Sequence, residues 1–157
     1  MNINIVPTGD TKRLIEKLNN AGNIVRDAKV KGLTTASMIF TTFSKQIVPV
    51  ATGNLRRNIK YKVSSEGNNS KIDTGTVDYA IHQEYGTGIY GRRGRMIVPK
   101  RAKMLRFKNK AGKIIFAKAV RGVKGKFFMQ KGSEETARRN KDIDSTIYKE
   151  LQKGLYA

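Results

Sequence analysis

Apolar residues recur every three or four positions along the first third of the chain. This spacing places them on one side of an α-helix and predicts a long amphipathic helix, following N-cap candidates at Thr8-Gly9-Asp10. A continuous helix would extend roughly 55 Å at about 1.5 Å per residue, more than the diameter of a compact domain of this size. We therefore expect part of it to project toward a neighbouring molecule or to break near Gly22-Asn23 or Gly32. The apolar positions are Leu14, Leu18, Ala21, Val25, Ala28, Gly32, Ala36, Ile39, Phe43 and Ile47.

Two stretches after this helix show the alternation that is typical of strands. One covers about residues 55 to 64 and the other about 71 to 77, with turn-forming residues between them. In the first strand we expect one face to carry Leu55, Ile59, Tyr61 and Val63. We predict that the two strands form an antiparallel hairpin, and that the second half of the long helix packs on this sheet. Residues 1–7 are predicted to be an extended lead.

A second hairpin and a last helix complete the predicted fold. Leu105–Lys108 and Ile114–Ala117 flank the turn residues 109–112, and a helix covers about residues 131 to 154. The elements predict an α+β fold: a small antiparallel β-sheet with a long N-terminal helix and a C-terminal helix. We expect a single domain over 1–157, with a basic hairpin inserted at about 100–125. The apolar positions of the last helix are Ala137, Ile143, Ile147, Leu151 and Leu155.

The eight residues from Val48 to Leu55 predict a corner between a helix and a strand. Pro49 has no backbone N–H and should end the preceding helix. Gly53 tolerates a positive φ angle, and Thr52 is a residue type that hydrogen-bonds local backbone, so a turn should follow. Leu55 would then begin the strand.

The segment from Tyr79 to Gly88 predicts about two helical turns followed by a loop. Asp78 is a candidate N-cap and Gly86 a candidate stop, while Tyr79, Ala80, Gln83 and Glu84 have spacings that allow them to share one side. Residues 87–94 should form a mobile loop. A carboxylate at Glu84 opposes the helix dipole, so it should have a cationic partner such as Arg56 or Arg57, or make a contact between subunits.

Charge is distributed unevenly along the chain. The formal net charge is +20, from 32 Lys and Arg and 12 Asp and Glu. Between Glu84 and Glu134 there are 15 basic residues and no acidic residue. Repulsion within such a segment costs stability unless an anionic neighbour offsets it. That neighbour would be DNA, the acidic face of another protein or an acidic patch of an adjacent subunit.

Four phenylalanines lie among these basic residues: Phe107, Phe116, Phe127 and Phe128. Interleaved aromatic and basic side chains suggest a platform on which nucleic-acid bases stack. The aromatics, however, alternate with polar residues at strand period, so we predict that most lie in the core. The cations opposite them would form a face that contacts phosphates without reading sequence, in a salt-sensitive way.

Residues that support catalysis or metal binding are scarce, so we predict no enzyme activity, cofactor or metal. There is no cysteine, and His82 is the only histidine. His82 and Glu84 are two residues apart in the predicted helix and would not share a face. Neither Ser44 nor Ser133 has a histidine and acid arranged to activate it. The chain shows no signal segment or membrane-spanning apolar run, so we expect a soluble protein made in the cytoplasm and no membrane partner.

The two short segments, Val48–Leu55 and Tyr79–Gly88, together resemble a family of minor virion proteins of long-tailed phages. These are the neck or tail-completion proteins of the head–tail junction. The family usually has a short proline-containing apolar segment after its glycine–threonine loop, and residues 96–100 occupy that place here. The long basic hairpin that follows departs from the family pattern.

The resemblance implies a structural role in the virion, at the head–tail junction. It implies a homo-oligomeric ring, a hexamer, between the head connector and the tail, with other connector and tail proteins as partners and transiting DNA as a possible contact. The residues expected to form interfaces are Pro49, Thr52, Gly53, Leu55, Tyr79, Ala80, Glu84, Gly86, Thr87, Arg92, Arg93 and Arg95. The hairpin 104–117 and the ends of the long helix are further candidate contact surfaces.

Three other hypotheses remain open from the sequence. A tail terminator protein belongs to the same structural class. A non-specific DNA-binding protein would account for the charge, and it would bind DNA as a monomer. A small nuclease or toxin would require His82 to act in catalysis.

Overall fold

The computed structural model describes residues 9–109 and 111–156, without the side chains of Asp10, Thr11 and Leu14. The extended lead predicted for residues 1–7 and the N-cap candidate Thr8 lie outside the described residues. The α+β class predicted from the sequence is confirmed. The strands form two separate two-stranded sheets rather than one.

The chain divides into two compact units, and it passes between them several times. Unit one comprises the described residues within Met1–Ile39, Tyr61–Ile72 and Glu135–Ala157, and unit two comprises Phe40–Lys60 and Asp73–Glu134. The prediction of a single domain stays a prediction. Charge differs between the units: unit two has 19 of the 32 basic residues and only 4 of the 12 acidic ones.

The N-terminal helix, α1, runs without interruption over Gly9–Ile47. The alternative of a break near Gly22-Asn23 or Gly32 is therefore wrong. In unit one, α1 packs closely against the last helix, α5 (Asn140–Tyr156), through glycines. Gly32 lies against Ile147, and Gly154 against Ile24, so the two helices run antiparallel.

The predicted apolar stripe of α1 is only partly the buried face. Leu18 is 65% exposed and Val25 is also exposed, whereas Ala28 and Gly32 are buried. Further along the helix, the buried positions are Ser37, Thr41 and Ser44, offset from the apolar positions that the spacing selected there. Small side chains allow close approach of the neighbouring backbone, and burial of their hydroxyls is tolerable because they are hydrogen-bonded.

The hydroxyls of Ser37 and Ser44 form hydrogen bonds, each within its own unit. In unit one, the Ser37 hydroxyl donates to the Leu33 carbonyl and lies 2.6 Å from the Ser70 hydroxyl of the first hairpin. This contact brings α1 onto the hairpin, as predicted. In unit two, Ser44 Oγ donates to the Phe128 carbonyl at 2.9 Å.

The first hairpin is shorter than predicted. Its strands are β1 (Lys60–Val63) and β2 (Ser70–Asp73), and residues 54–58 form a short helix, α2 (Asn54–Asn58), in place of the start of a strand. Leu55 and Ile59 are four residues apart, a spacing that fits either a helix or one face of a strand. Ile59 N–H donates to the Leu55 carbonyl, which is the helical arrangement.

The second strand ends at Asp73 instead of continuing to Val77. Asp73 Oδ1 accepts a hydrogen bond from Gly75 N–H at 3.0 Å, which turns the chain. Val77 is buried, but in the core of unit two and not in a strand.

The second hairpin has the predicted bounds, with β3 (Leu105–Lys108) antiparallel to β4 (Ile114–Ala117). In the register, Arg106 lies opposite Phe116 and Phe107 lies opposite Ile115. We refer to β3, β4 and their turn as the ribbon.

The predicted C-terminal helix is two helices. α4 (Phe128–Arg138) starts earlier than predicted, and α5 follows after a one-residue interruption at Arg139. Ala137, a predicted apolar contact, is exposed, whereas Ile143, Ile147 and Leu151 are half-buried.

The core of unit two collects residues from four parts of the chain. They are Val48, Leu55, Ile59, Val77, Ala80 and Phe128, with Ile47 and Met129 packed at the edge. Both short segments that carry the family resemblance therefore contribute to one hydrophobic core.

We predict that Gly32→Leu destabilises the protein by about 1 to 3 kcal/mol, because a Cβ at this position would come within 2.5 Å of Ile147 Cγ1. Gly22→Leu is the matched control, since nothing lies within 4 Å of a Cβ there. It should be neutral or stabilising by up to about 1 kcal/mol, through helix propensity. Urea denaturation followed by circular dichroism measures both values. Equal effects would contradict the close packing of α1 on α5.

Candidate functional site

The corner that follows α1 has the predicted course up to Gly53. The helix ends at Ile47, Pro49 is exposed just beyond it, and Gly53 has φ 73°. Thr52 is exposed, and its hydroxyl accepts a hydrogen bond from Asn54 N–H at 3.3 Å. Leu55 then enters the core as part of α2. The corner thus joins two helices and not a helix to a strand.

The second segment forms the predicted short helix, α3 (Ala80–Tyr85), which ends at Gly86 with φ 81°. The predicted N-cap is wrong: the cap residue is Tyr79, without a side-chain hydrogen bond, and Asp78 makes no cap. Ala80 N–H donates instead to the Val77 carbonyl at 3.0 Å. Ala80 and Glu84 form the buried side of α3, while Tyr79 is exposed.

Glu84 has a different partner from the one predicted. Its side chain is only 6% exposed. Oε2 accepts a hydrogen bond from Met129 N–H at 2.9 Å, and Oε1 accepts one from Gln130 N–H at 3.2 Å. These are orphan amides at the start of α4, where the helix dipole favours an anion. The carboxylate is therefore the N-cap of a helix 45 residues further along the chain.

Neither arginine that was predicted to pair with Glu84 does so. Arg56 and Arg57 are both exposed, in α2. The correction has a physical reason: backbone amides at a helix start provide positive potential without the entropic cost of fixing a long side chain. The sequence did contain one signal, because residues 125–127 before α4 are Gly-Lys-Phe and offer no Ser, Thr, Asp or Asn as a local cap.

Backbone hydrogen bonds strengthen the attachment of α3 to the start of α4. The Gln83 carbonyl accepts from Lys126 N–H at 2.8 Å, and the Glu84 carbonyl accepts from Phe127 N–H at 3.0 Å. Phe127 has φ 52°, an uncommon conformation for a residue with a side chain. Side chain and backbone of Glu84 together fix where α4 begins.

The first half of the predicted mobile loop is hydrogen-bonded to residues 121–123, which lie about 35 residues further along the chain. Residues 88–90 form a 3-10 turn. Thr87 N–H donates to the Val123 carbonyl at 2.8 Å, and Ile89 N–H donates to the Arg121 carbonyl at 2.9 Å. Val123 N–H returns a bond to the Thr87 hydroxyl at 3.0 Å. Thr87 therefore fastens the loop to residues 121–123.

Glycine is required on both sides of this contact. Gly88 and Gly122 have φ angles of 65° and 89°. A Cβ on Gly88 would collide with the Arg121 carbonyl, and one on Gly122 with the Thr87 carbonyl. The loop glycines thus permit two backbone segments to touch.

The three arginines of the loop line an open groove of about 670 Å³ in unit two. Arg92, Arg93 and Arg95 are exposed, and Lys100 adds a fourth cation. No acidic side chain lines the groove, whose apolar wall is Met96, Ile97 and Val98. In the described part of the chain, none of the basic residues between 92 and 131 forms an ion pair.

Most of the aromatics predicted to be core are on the surface. Phe116 is 62% exposed, and Phe107 and Phe127 are about 40% exposed, whereas Phe128 is the one buried member of the four. The prediction was wrong because alternation defines two faces of a strand but does not guarantee that a second layer covers either. Of the 24 exposed large hydrophobic residues in the described structure, 14 lie between 81 and 127, so apolar exposure coincides with the basic segment.

Within the described residues, the side chain of the only histidine makes no hydrogen bond or ion pair. His82 is exposed at the edge of the groove, and the carboxylate of Glu84 is occupied at the start of α4. Among residues 9–109 and 111–156, no three His, Asp or Glu come together as metal ligands. No helix within those ranges combines the length and apolarity needed to cross a bilayer.

We predict that Glu84→Ala lowers the free energy of unfolding by about 2 to 3 kcal/mol, because two partly buried backbone amides lose a charged acceptor. Glu84→Gln should cost less, since it keeps one acceptor oxygen. The control is Glu134→Gln in α4. The exposed carboxylate of Glu134 accepts a hydrogen bond from Gln130 Nε2, and its replacement should cost less than about 0.5 kcal/mol. Urea titration measures each. A Glu84→Ala protein as stable as the control would refute the cap.

We also predict that Gly122→Ala detaches the loop, because the added Cβ collides with the Thr87 carbonyl. Gly112→Ala in the ribbon turn is the control, with a similar φ of 76° and open space around the Cβ. Each substitution should lower the free energy of unfolding by about 1 kcal/mol, because alanine disfavours a positive φ angle. Only Gly122→Ala should accelerate amide hydrogen exchange at Thr87 and Ile89. Equal exchange in the two variants would contradict the attachment.

One protein family matches the chain. Residues 12–86 match the model of the family described as "Bacteriophage HK97-gp10, putative tail-component". The match contains all of the first short segment and the second as far as Gly86, and it ends before the basic groove. No curated protein and no solved structure gives a significant match. The resemblance drawn from the two segments is thereby confirmed: residues 12–86 of this chain match the HK97-gp10-like family of phage tail components.

Proposed function

We propose that this protein is a structural component of the head–tail junction, a neck or tail-completion protein that assembles as a ring between connector and tail. The observation that carries the proposal is the family match over residues 12–86, which includes the first short segment and the second as far as Gly86, and both contribute to the core of unit two. A phage tail component works in contact with other virion proteins. The head–tail position and the six-fold ring are our finer proposals within that class.

The surface of unit two supports an assembly role. Exposed apolar side chains are concentrated between residues 81 and 127, a range that overlaps the 15 basic and no acidic residues of 85–133. Exposed apolar side chains in such number indicate interaction sites, because leaving them in water is unfavourable. The ribbon strengthens the argument, since a two-stranded hairpin is marginally stable by itself and gains stability when another surface covers it.

The proposed interface residues divide into two groups by burial. Three of them, Leu55, Ala80 and Glu84, are buried. Together with the backbone at Gly86 and Thr87, they stabilise the local structure on which an interface would form. Direct contact falls to the members at the surface, which are Pro49, Thr52, Gly53, Tyr79, Arg92, Arg93 and Arg95. Such a protein acts by shape and charge and needs no catalytic group. A cyclic ring would repeat one head-to-tail interface around its axis.

Non-specific DNA binding is the second candidate, favoured by the exposed face of the ribbon. Arg106 lies opposite Phe116 on that face, so a cation and an exposed aromatic ring are adjacent. Such pairs bind phosphate and stack on bases without sequence preference. If this were the main function, monomeric protein would bind duplex DNA at physiological salt, with affinity falling steeply as salt increases.

The proposal predicts that phage unable to make this protein accumulate filled heads and separate tails. Electron microscopy of lysates measures the joined fraction, and expression of the protein in trans is the control that should restore it. Tails of normal length would indicate a neck or tail-completion role, whereas tails of uncontrolled length would indicate a terminator. Joined, infectious particles without the protein would contradict the proposal.

A further inference from the structure

We propose that the groove beside residues 96–98 binds an extended acidic peptide of a different virion protein, which adds to this segment as a β-strand. The inference rests on the proposed function for the identity of the partner as a virion protein. Its structural basis is independent of that function: an unpaired backbone edge, an apolar wall and four cations that meet in one groove of unit two.

The backbone at residues 96–98 has one paired edge and one open edge. Ile97 and Val120 form an antiparallel bridge in which each N–H donates to the other's carbonyl at 2.9 Å. In such a pair, the N–H and C=O groups of the two flanking residues point away from the partner segment. Those groups of Met96 and Val98 make no hydrogen bond within the described structure. They are available for another strand.

The open edge is short and well delimited. Pro99 follows directly and has no N–H to donate on the paired edge, so the pairing with the segment of Val120, and with it the extended stretch, ends there. On the other side, the loop that carries the arginines is fastened through Thr87 to Val123. Residues 86, 88 and 91, all glycines, also line the groove.

The side chains around the edge specify the chemistry of the occupant. Met96, Ile97 and Val98 form an exposed apolar wall, and the groove is flanked by Arg92, Arg93, Arg95 and Lys100 without any acid. An extended peptide presents alternate residues on opposite sides. A sequence that alternates apolar and acidic residues would therefore place apolar side chains on the wall and carboxylates beside the arginines.

Charge and apolarity together decide between the possible occupants. A second copy would bring the same arginines and lysines to the groove, and like charges placed together oppose pairing. Nucleic acid would satisfy the cations but not the aliphatic wall, because protein–DNA interfaces are more polar than interfaces between proteins. An acidic peptide satisfies both.

The test is fluorescence anisotropy with the full-length protein and a labelled nine-residue peptide of alternating Asp or Glu and Val, at physiological salt. We expect saturable binding, and binding at least about 100-fold weaker for the same peptide with Lys in place of every acid. Absence of binding, or equal affinity for the two peptides, would overturn the proposal. A 20-base-pair duplex that binds more tightly than the acidic peptide and displaces it would also overturn it, in favour of nucleic acid.

Two matched comparisons test the groove and the strand addition. The triple variant R92E/R93E/R95E should bind the acidic peptide at least about tenfold more weakly, whereas R56E/R57E/K60E, with the same change in charge at exposed positions outside the groove, should stay within about threefold. Equal losses would show that only net charge matters. Circular dichroism checks that both variants are folded.

Backbone N-methylation of the peptide separates strand addition from simple charge attraction. In a strand, the N–H groups of alternate residues point to the same edge, so methylating all Val nitrogens blocks one edge and methylating all acid nitrogens blocks the other. One of these peptides should lose at least about tenfold in affinity and the other should keep most of it. Equal behaviour would contradict strand addition.

The result is distinguishable from that of the phage experiment. If the acidic peptide does not bind, but phage that lack the protein fail to join heads and tails, this inference is removed and the proposed function remains. Peptide binding without any joining defect would do the reverse.

Discussion

The bond between the Glu84 carboxylate and the first amides of α4 is the interaction on which unit two depends. It joins the second family segment to a helix that starts more than forty residues later, across the whole basic segment. The cap satisfies two partly buried donors and places negative charge at the positive end of a helix dipole. Because Phe128 enters the core directly at that helix start, the same bond positions the largest buried side chain of the unit.

This arrangement explains how a segment with strong internal repulsion is held in place. The segment of residues 85 to 133 contains no acidic residue. Its beginning and its C-terminal part are held together by Glu84, by the backbone hydrogen bonds of residues 83–89 and by glycines that allow close approach. Each basic side chain remains at the surface without an internal ion pair in the part of the segment that the structure describes. Positive charge is thereby kept available for an external partner, at a cost that the core of unit two offsets.

Much of the local structure could be predicted from the sequence, because it depends on short-range rules. The end of α1 before Pro49, the helix that ends at Gly86 and both strands of the ribbon follow from proline, glycine and alternation. The failures arose where a pattern was compatible with two structures, or where a distant part of the chain decided the outcome. Leu55 and Ile59 suited a strand as well as a helix, and the buried face of α1 was set by the close approach of other backbone to small residues.

The candidate site was least predictable where it relied on long-range contact. The sequence identified Glu84 as a residue that needs a positive partner, but it assigned that role to arginines nearby and not to backbone amides. It also assumed that a regular alternation must have a covering layer, so three exposed phenylalanines were placed in a core. Both errors have the same origin: local sequence defines which faces an element has, whereas only the complete fold, or the assembled particle, determines what lies against each face.

If the basic and apolar surface of residues 81–127 is an interface in the virion, assembly should cover its lysines. The rate of chemical acylation of single lysines, followed by mass spectrometry, tests this in the free protein and in intact particles. Lys100, Lys103, Lys108 and Lys113, all exposed in the isolated chain, should become several-fold less reactive in particles. Unchanged reactivity of all four in joined, infectious particles would show that this surface is not an interface.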